Sequence, residues 1–399
     1  MKQRLPFLSL LLITGFLLFV PGAAAETTNS NAANDSVIQE MVETQMETLN
    51  LDELKGFWEN IIHEYGGLLP ESQKGSLYDF ISGEKELSMK EWLKGMATFA
   101  FHELIANGKL LASLVLLTVL SMFLQSLQSA FEGGTISKVA YAVVFMVLII
   151  IALNSFHVAV SYAMDAISVM TSFIIALIPL LLALIAASGG LISAAFFHPF
   201  ILFLINISGS FIQYIVLPLL FLAVILSIVS VLSEQYKVTQ LANLLRNGSI
   251  ALLGMFFTIF LGVISVQGAS AAVSDGIALK TVKFITGNFI PVIGRMFTDA
   301  TDTVLSASLL LKNSVGIVGV AILLLIVAFP AVKLLIISFI YQFTAAILQP
   351  LGGGPIIKCL DIIGKNILYV FSALAIVSLM FFLSITIIIA AGNLTIMVR

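Results

Sequence analysis

The residue types that carry most enzyme chemistry are present in this 399-residue chain, but they are not grouped. Catalytic pairs and metal sites need His, Cys, Asp or Glu side chains that are brought together at regular spacing. The single cysteine, Cys359, excludes an intrachain disulfide and a multi-cysteine metal site. The four histidines are far apart in the sequence: His63, His102, His157 and His198. We therefore predict no enzyme activity, no catalytic residue, no metal and no cofactor.

One charged group does have regular spacing. Arg295, Asp299 and Asp302 stand at positions i, i+4 and i+7, so they share one face of a helix. One interpretation is a solvated face with a single Arg–Asp pair. The other is a polar strip that faces a pore or a partner, because the neighbouring residues are apolar enough for membrane depth.

Helix-breaking residues interrupt two apolar regions of the chain. Such breaks point to a transport site, because the freed backbone groups can line a polar path. Ordinary loops between helices are the simpler interpretation, since no internal repeat is visible. The residues concerned are Pro179, Gly189 and Gly190 in the first region, and Pro350, Gly352, Gly353 and Gly354 in the second.

The composition determines the class of protein. Hydrophobic residues make up 59% of the chain and charged residues only 10%, whereas an average soluble domain has about 25% charged residues. A water-soluble globular protein is therefore excluded, and a multi-span membrane protein remains. The charges are also segregated, because residues 26–108 hold 15 acids and 5 lysines. This acidic region argues against nucleic-acid binding, since it would repel phosphates.

Residues 1–25 have the pattern of a cleavable signal peptide. Lys2 and Arg4 precede an apolar core, and small residues at Ala23 and Ala25 suit signal peptidase, which would leave Glu26 as the first residue. An uncleaved first span is the alternative. Cleavage would place residues 26–108 outside the cytoplasm, as an acidic helical domain. That domain would serve either as a cap on the membrane helices or as a docking surface for a partner.

Residues 109–399 are predicted to form an all-α polytopic transmembrane bundle of about eight to nine spans. The apolar run 196–232 is too long for one span, so we divide it near Gln213. Residues 269–313 are too charged to span and read as an amphipathic or re-entrant segment. A span at 334–348 is optional, and it decides on which side Lys358 and Lys365 lie.

The segment Glu234–Asn247 is the longest convincing cytoplasmic loop. It would bind a cytoplasmic partner through a short amphipathic helix. It is too short to hold a nucleotide-binding domain, so any ATP-driven step would need a separate subunit. The residues that we expect to contact the partner are Lys237, Leu241, Leu245 and Arg246.

The segment Phe289–Gly316 (FIPVIGRMFTDATDTVLSASLLLKNSVG) has a mixture of Pro, Gly, Asp and Ser/Thr that hydropathy alone does not require. With the signal peptide, the acidic domain and the polytopic body, the chain resembles the stage III sporulation protein AE family of endospore-forming Bacilli over its whole length. The resemblance carries over no catalytic residue.

The resemblance implies a mother-cell protein of the outer forespore membrane. It also implies partners, namely the other products of an eight-protein operon, including a separate ATPase, and a forespore-made protein. Together they would build a channel or secretion-like complex needed for forespore gene expression and development, with this chain as conduit or scaffold. A stand-alone secondary transporter or permease for a small solute is the alternative. It is disfavoured because the strong spans are nearly free of charge.

Overall fold

The computed structural model describes residues 49, 51–67, 74–82, 85, 88–130, 135–232, 237–289, 293–351 and 354–397. Across these ranges the chain forms helices and no strand. The predicted all-α class is therefore confirmed. The described residues include six helices that are long and apolar enough to cross a membrane, so the protein is a multi-pass membrane protein.

Three short helices precede the membrane helices: α1 (Asp52–Tyr65), α2 (Leu77–Ile81) and α3 (Met89–Ala106). Trp58 of α1 is almost fully buried; its Nε1–H donates to the Gly75 carbonyl at 2.8 Å, and its ring meets Phe80 edge-on at 5.1 Å. Ser76 caps α2 together with Asp79 in a reciprocal capping box. These contacts join α1 and α2 into a small folded unit, which we call the N-terminal domain together with α3.

The membrane part contains long helices with short connections. Their bounds are α4 (Gly108–Ala130), α5 (Thr135–Ala187), α6 (Leu191–Phe211), α7 (Leu217–Leu232), α8 (Thr239–Phe289), α9 (Ile293–Leu348) and α10 (Pro355–Met397). A π-helical turn, Ile212–Val216, joins α6 to α7, and a 3₁₀ turn, Gln349–Leu351, follows α9.

The count of six candidate spans differs from the eight or nine that the sequence predicts. Part of the difference arises because α5 and α9 each unite two predicted spans into one continuous helix, and the rest arises within residues 199–232. Asp165 and Lys333 are charges of the kind that usually mark the end of a span, but both lie inside these helices. The segment 269–313 likewise has no helix of its own, since its backbone forms the end of α8 and the start of α9.

The predicted division near Gln213 coincides with the π-helical turn, where the helix continues without ending. A π-helical turn accommodates one extra residue within a helix. The Gln213 side-chain amide donates to the Met164 carbonyl of α5 at 3.0 Å, which ties the turn to the neighbouring helix. Residues 199–232 therefore form one candidate span instead of two.

Side-chain contacts give the direction of each long helix. α5 and α9 are antiparallel, because the Tyr341 hydroxyl donates to the Ile151 carbonyl at 3.4 Å while Gly319 packs against Leu177. We call the end at which α5 begins the near end. The end at which α5 turns into α6 is the far end.

α8 and α10 run in parallel from the near end to the far end. Arg246 lies over the Tyr369 ring, and further along Gly268 packs against Ile387. Gly354, just before α10, lies beside Gln125 near the end of α4. The loop before Lys358 and Lys365 therefore lies at the near end, as the start of α8 does, and 334–348 is the last part of α9 instead of a separate span.

Candidate functional site

The predicted helix break at Gly189 and Gly190 is a tight turn at the far end. Gly189 has a φ of 92°, which residues with a side chain rarely adopt. A Cβ atom at Gly190 would lie 2.6 Å from Ile185 Cγ2 and 3.3 Å from Asp275 Oδ2. Both positions therefore require glycine, one for its backbone conformation and the other for close packing.

A buried carboxylate from α8 holds this turn. Asp275 is 1% exposed; its Oδ1 accepts the Ile192 N–H at 3.0 Å and its Oδ2 accepts the Ser193 N–H at 3.1 Å. The first N–H groups of a helix have no partner within the helix and carry partial positive charge, so a carboxylate satisfies them well. Asp275 thus acts as a cap for α6 that is supplied from another helix, and it joins α8 to the α5–α6 turn.

The other predicted helix breaks do not meet this turn. Pro179 is exposed and lies inside the continuous helix α5. Pro350 lies in the 3₁₀ turn at the near end, beside Gly354. Gly352 and Gly353 are outside the described residues. The structure therefore does not bring the two groups of helix-breaking residues together at one depth.

An aromatic cluster joins the N-terminal domain to the long helices. Tyr65 of α1 stacks on Phe329 of α9 with 3.7 Å between ring centroids, and Phe99 of α3 meets Phe329 edge-on at 4.9 Å. The Lys333 ammonium lies over both the Tyr65 ring, at 5.9 Å, and the Tyr162 ring of α5, at 5.1 Å. We call these five residues the docking cluster. Stacking and cation–π contacts of this kind stabilise an interface beyond its buried area.

The docking cluster is expected to weaken only at high pH. Burial, followed by a hydrogen bond with Glu64, raises the pKa of Tyr65 above its ordinary value, which is about 10. A raised pKa means that the docked state favours the neutral phenol. The stabilisation is therefore complete below about pH 10 and is lost as the pH rises further.

This dependence can be measured by thermal unfolding of the detergent-purified protein between pH 8 and pH 11. Tyr65→Phe keeps the ring and has no ionisable group, so we expect its loss of stability above about pH 10 to be smaller than that of the wild type. Identical pH profiles for the two proteins would contradict this role of Tyr65.

The predicted partner segment is the start of a long helix. From Thr239 onward it forms the first turns of α8, with Leu241 exposed and Leu245 half-buried. Lys237 is exposed just before the helix, but Arg246 is turned inward, since it donates to the Asn243 Oδ1 at 2.7 Å and lies over Tyr369 at 5.6 Å. The segment is therefore open to a partner at Lys237, Leu241 and Leu244 but not at Arg246.

Other predicted sites fall partly or wholly outside the described residues. The cleavage residues Ala23, Ala25 and Glu26 are among them. The backbone of Arg295, Asp299 and Asp302 is helical in α9, as the shared face requires, but their side chains are not described.

Two buried charges were missed at the sequence level, namely Asp275 and Lys312. Lys312 is 0% exposed, and its Nζ donates to the Ile389 carbonyl of α10 at 3.1 Å. An isolated charge on an otherwise apolar helix is the signal that could have identified both. Within the described ranges, no three His, Cys, Asp or Glu side chains are placed to hold a metal ion.

Comparison with known proteins identifies the family. The profile of the family described as Stage III sporulation protein AE matches residues 72–392. A curated protein named Stage III sporulation protein AE, from Bacillus subtilis (strain 168), is 65% identical over 398 residues, which cover 100% of this chain and 99% of that protein. No solved structure matches the chain. The chain belongs to the stage III sporulation protein AE family.

Proposed function

We propose that this chain is the integral membrane subunit of a channel or secretion-like complex between the mother cell and the forespore, located in the outer forespore membrane. Within this complex the chain acts as a conduit or as a scaffold. The complex is needed for gene expression in the forespore and for forespore development. The partners are other subunits of the same sporulation operon, including a separate ATPase, and a protein made in the forespore. No nucleic acid is bound.

The observation that carries this proposal is how two buried charges of the long helices are used, Asp275 and Lys312. The Asp275 carboxylate is occupied by two backbone N–H groups, and the Lys312 ammonium is bonded to a backbone carbonyl. Coupled transport of a solute requires charged or polar groups that can exchange partners. Groups that hold helices together suit a scaffold or the wall of a conduit better than a stand-alone transporter.

The docked N-terminal domain supports a role in assembly. Glu53 and Glu59 are exposed on α1, while Phe57 of the same helix packs edge-on against Phe173 of α5 at 5.4 Å. This acidic face, on which Glu59 also forms an exposed ion pair with Lys55 at 3.7 Å, is therefore held in a fixed position relative to the long helices. Such a face favours basic partner surfaces and speeds their association.

Crosslinking in sporulating cells, followed by partner identification, tests the proposal. We expect to recover the sister subunits of the operon and the forespore-made protein. Recovery of this chain without them would contradict a complex. Specific solute flux by the purified protein in liposomes without partners would instead establish a transporter.

The acidic face makes a separate prediction within the same assay. Glu53→Gln combined with Glu59→Gln should lower the crosslinking yield to the partners that contact the N-terminal domain, and added salt should lower the wild-type yield in the same way. Lys94→Gln, an exposed change on α3, serves as the control. Equal yields for the double variant and the control would exclude charge-assisted docking through α1.

A further inference from the structure

The long helices exceed the thickness of a bilayer by more than a factor of two. α5 has 53 residues and α9 has 56, which correspond to about 80 Å at 1.5 Å per residue. The hydrocarbon core of a bilayer is only about 30 Å thick, and tilting by up to about 40° lengthens the path through it only modestly. A large part of each helix must therefore stand outside the bilayer.

The docking cluster marks a level on these helices that faces water. Tyr162 and Lys333 lie about midway along the bundle, and the N-terminal domain packs against them. That domain exposes Glu53, Glu59 and other charged side chains, which are costly in hydrocarbon. Asp165, one turn beyond Tyr162 on α5, is also exposed. The middle of α5 is thus at an aqueous level.

α4 shows on which side of this level the bilayer lies. It begins at Gly108, directly after the N-terminal domain, and its 23 residues extend about 34 Å, which is one bilayer thickness. It ends at the near end, where Gln125 lies beside Gly354. Phe57, in contrast, packs on Phe173, which is on the far side of the docking cluster. The N-terminal domain therefore lies beside the far half of α5, and α4 lies beside the near half.

We infer that the bilayer encloses α4 and only the near half of the long helices, while the far half stands in the same aqueous space as the N-terminal domain. Large apolar side chains are exposed along both halves, for example Leu116 and Phe123 in the near half and Leu191 and Ile277 in the far half, so the level of the bilayer follows from the N-terminal domain and α4 and not from exposed apolar area.

Some charged groups at the depth of the near half have polar partners within the protein, which lowers the cost of placing them in lipid. Asp361 and Lys365 form an ion pair at 2.6 Å, and Arg246 is bonded to Asn243. In the far half lipid is absent, and the N-terminal domain covers one face of α5 there through Phe57.

Two matched positions on α5 test the inference. Val147 in the near half is 41% exposed, and Ile175 in the far half is 38% exposed. Each is changed to cysteine in a Cys359→Ala background, so that the label goes to one site. Full-length protein carrying a bimane label is reconstituted into ordinary lipid and into lipid with brominated acyl chains, which quench the label on contact. Thermal unfolding confirms that each variant is folded.

We expect strong quenching at Val147→Cys and equal emission in the two lipids at Ile175→Cys. Quenching of Ile175→Cys to the same degree as Val147→Cys would overturn the inference, and so would an unquenched Val147→Cys. Asp165→Cys gives a third test. It should react with a membrane-impermeant maleimide that is added either outside the proteoliposomes or inside them, depending on the orientation of the protein. Protection of Asp165→Cys from both sides would likewise overturn the aqueous level.

Discussion

Replacing Asp275 with leucine is expected to destabilise the protein by about 2–5 kcal/mol, because one buried and one partly buried backbone N–H group would lose their acceptor. The donors are the amides of Ile192 and Ser193 at the start of α6. The loss would also release α8 from the α5–α6 turn. In cells, we expect lower abundance of the protein and fewer heat-resistant spores.

The measurement can use the single cysteine. Cys359 is fully buried in the folded protein, so a thiol-reactive dye reports thermal unfolding in detergent. Asp275→Asn keeps one acceptor oxygen and should lose less stability than Asp275→Leu. Ser274→Ala, the exposed neighbour on α8, is the matched control and should melt like the wild type. Equal melting of Asp275→Leu and Ser274→Ala would show that the capping contacts contribute nothing measurable.

Gly364→Val is expected to cause the second large loss, about 3 kcal/mol from overpacking between α9 and α10. The two backbones approach closely here, since the Ser338 hydroxyl donates to the Gly364 carbonyl at 2.7 Å. A Cβ atom at Gly364 would lie 2.6 Å from Gln342 Cγ and 3.2 Å from the Ser338 carbonyl oxygen. Backbone atoms cannot yield as a flexible side chain can, so α9 and α10 would have to separate.

Gly254→Val provides the control for this change. Gly254 also lies in a long helix, but nothing stands within 4 Å of where its Cβ atom would be. We expect its melting temperature to change little, because exposed substitutions usually stay within about 0.5 kcal/mol. Equal melting temperatures for the two variants would contradict the role of close packing at Gly364. They would show that valine has the same effect on stability at either helical position.

The sequence predicts the helical class, the membrane character and the family, because these depend on composition and on local motifs. It divides the apolar runs into more spans than the six candidate spans of the described residues, and the reason is visible at Asp165 and Lys333. A charge in an apolar run is usually the end of a span. Here each charge lies in the middle of a helix, and Lys333 is accommodated by contacts with the Tyr65 and Tyr162 rings. Hydropathy cannot anticipate such contacts with another domain.

The candidate site shows more clearly which contacts the sequence alone does not predict. The turn at Gly189 and Gly190 could be located from the two glycines alone. Its partner Asp275 is more than 80 residues away in the sequence, and no periodicity links the two positions. One sequence without related sequences therefore identifies the break but not the residue that stabilises it.

The π-helical turn between α6 and α7 implies a constraint on how this family can change over evolution. Each residue turns a helix by about 100°, so the extra residue in Ile212–Val216 sets the rotation of α7 relative to α6. The buried stripe of α7, which includes Leu220 and Val224, faces the bundle only at that rotation. A deletion of one residue here would turn the stripe toward the outside, whereas a substitution would not. Related sequences should therefore vary in residue type between Gly209 and Leu220, but the number of residues in this segment should stay unchanged.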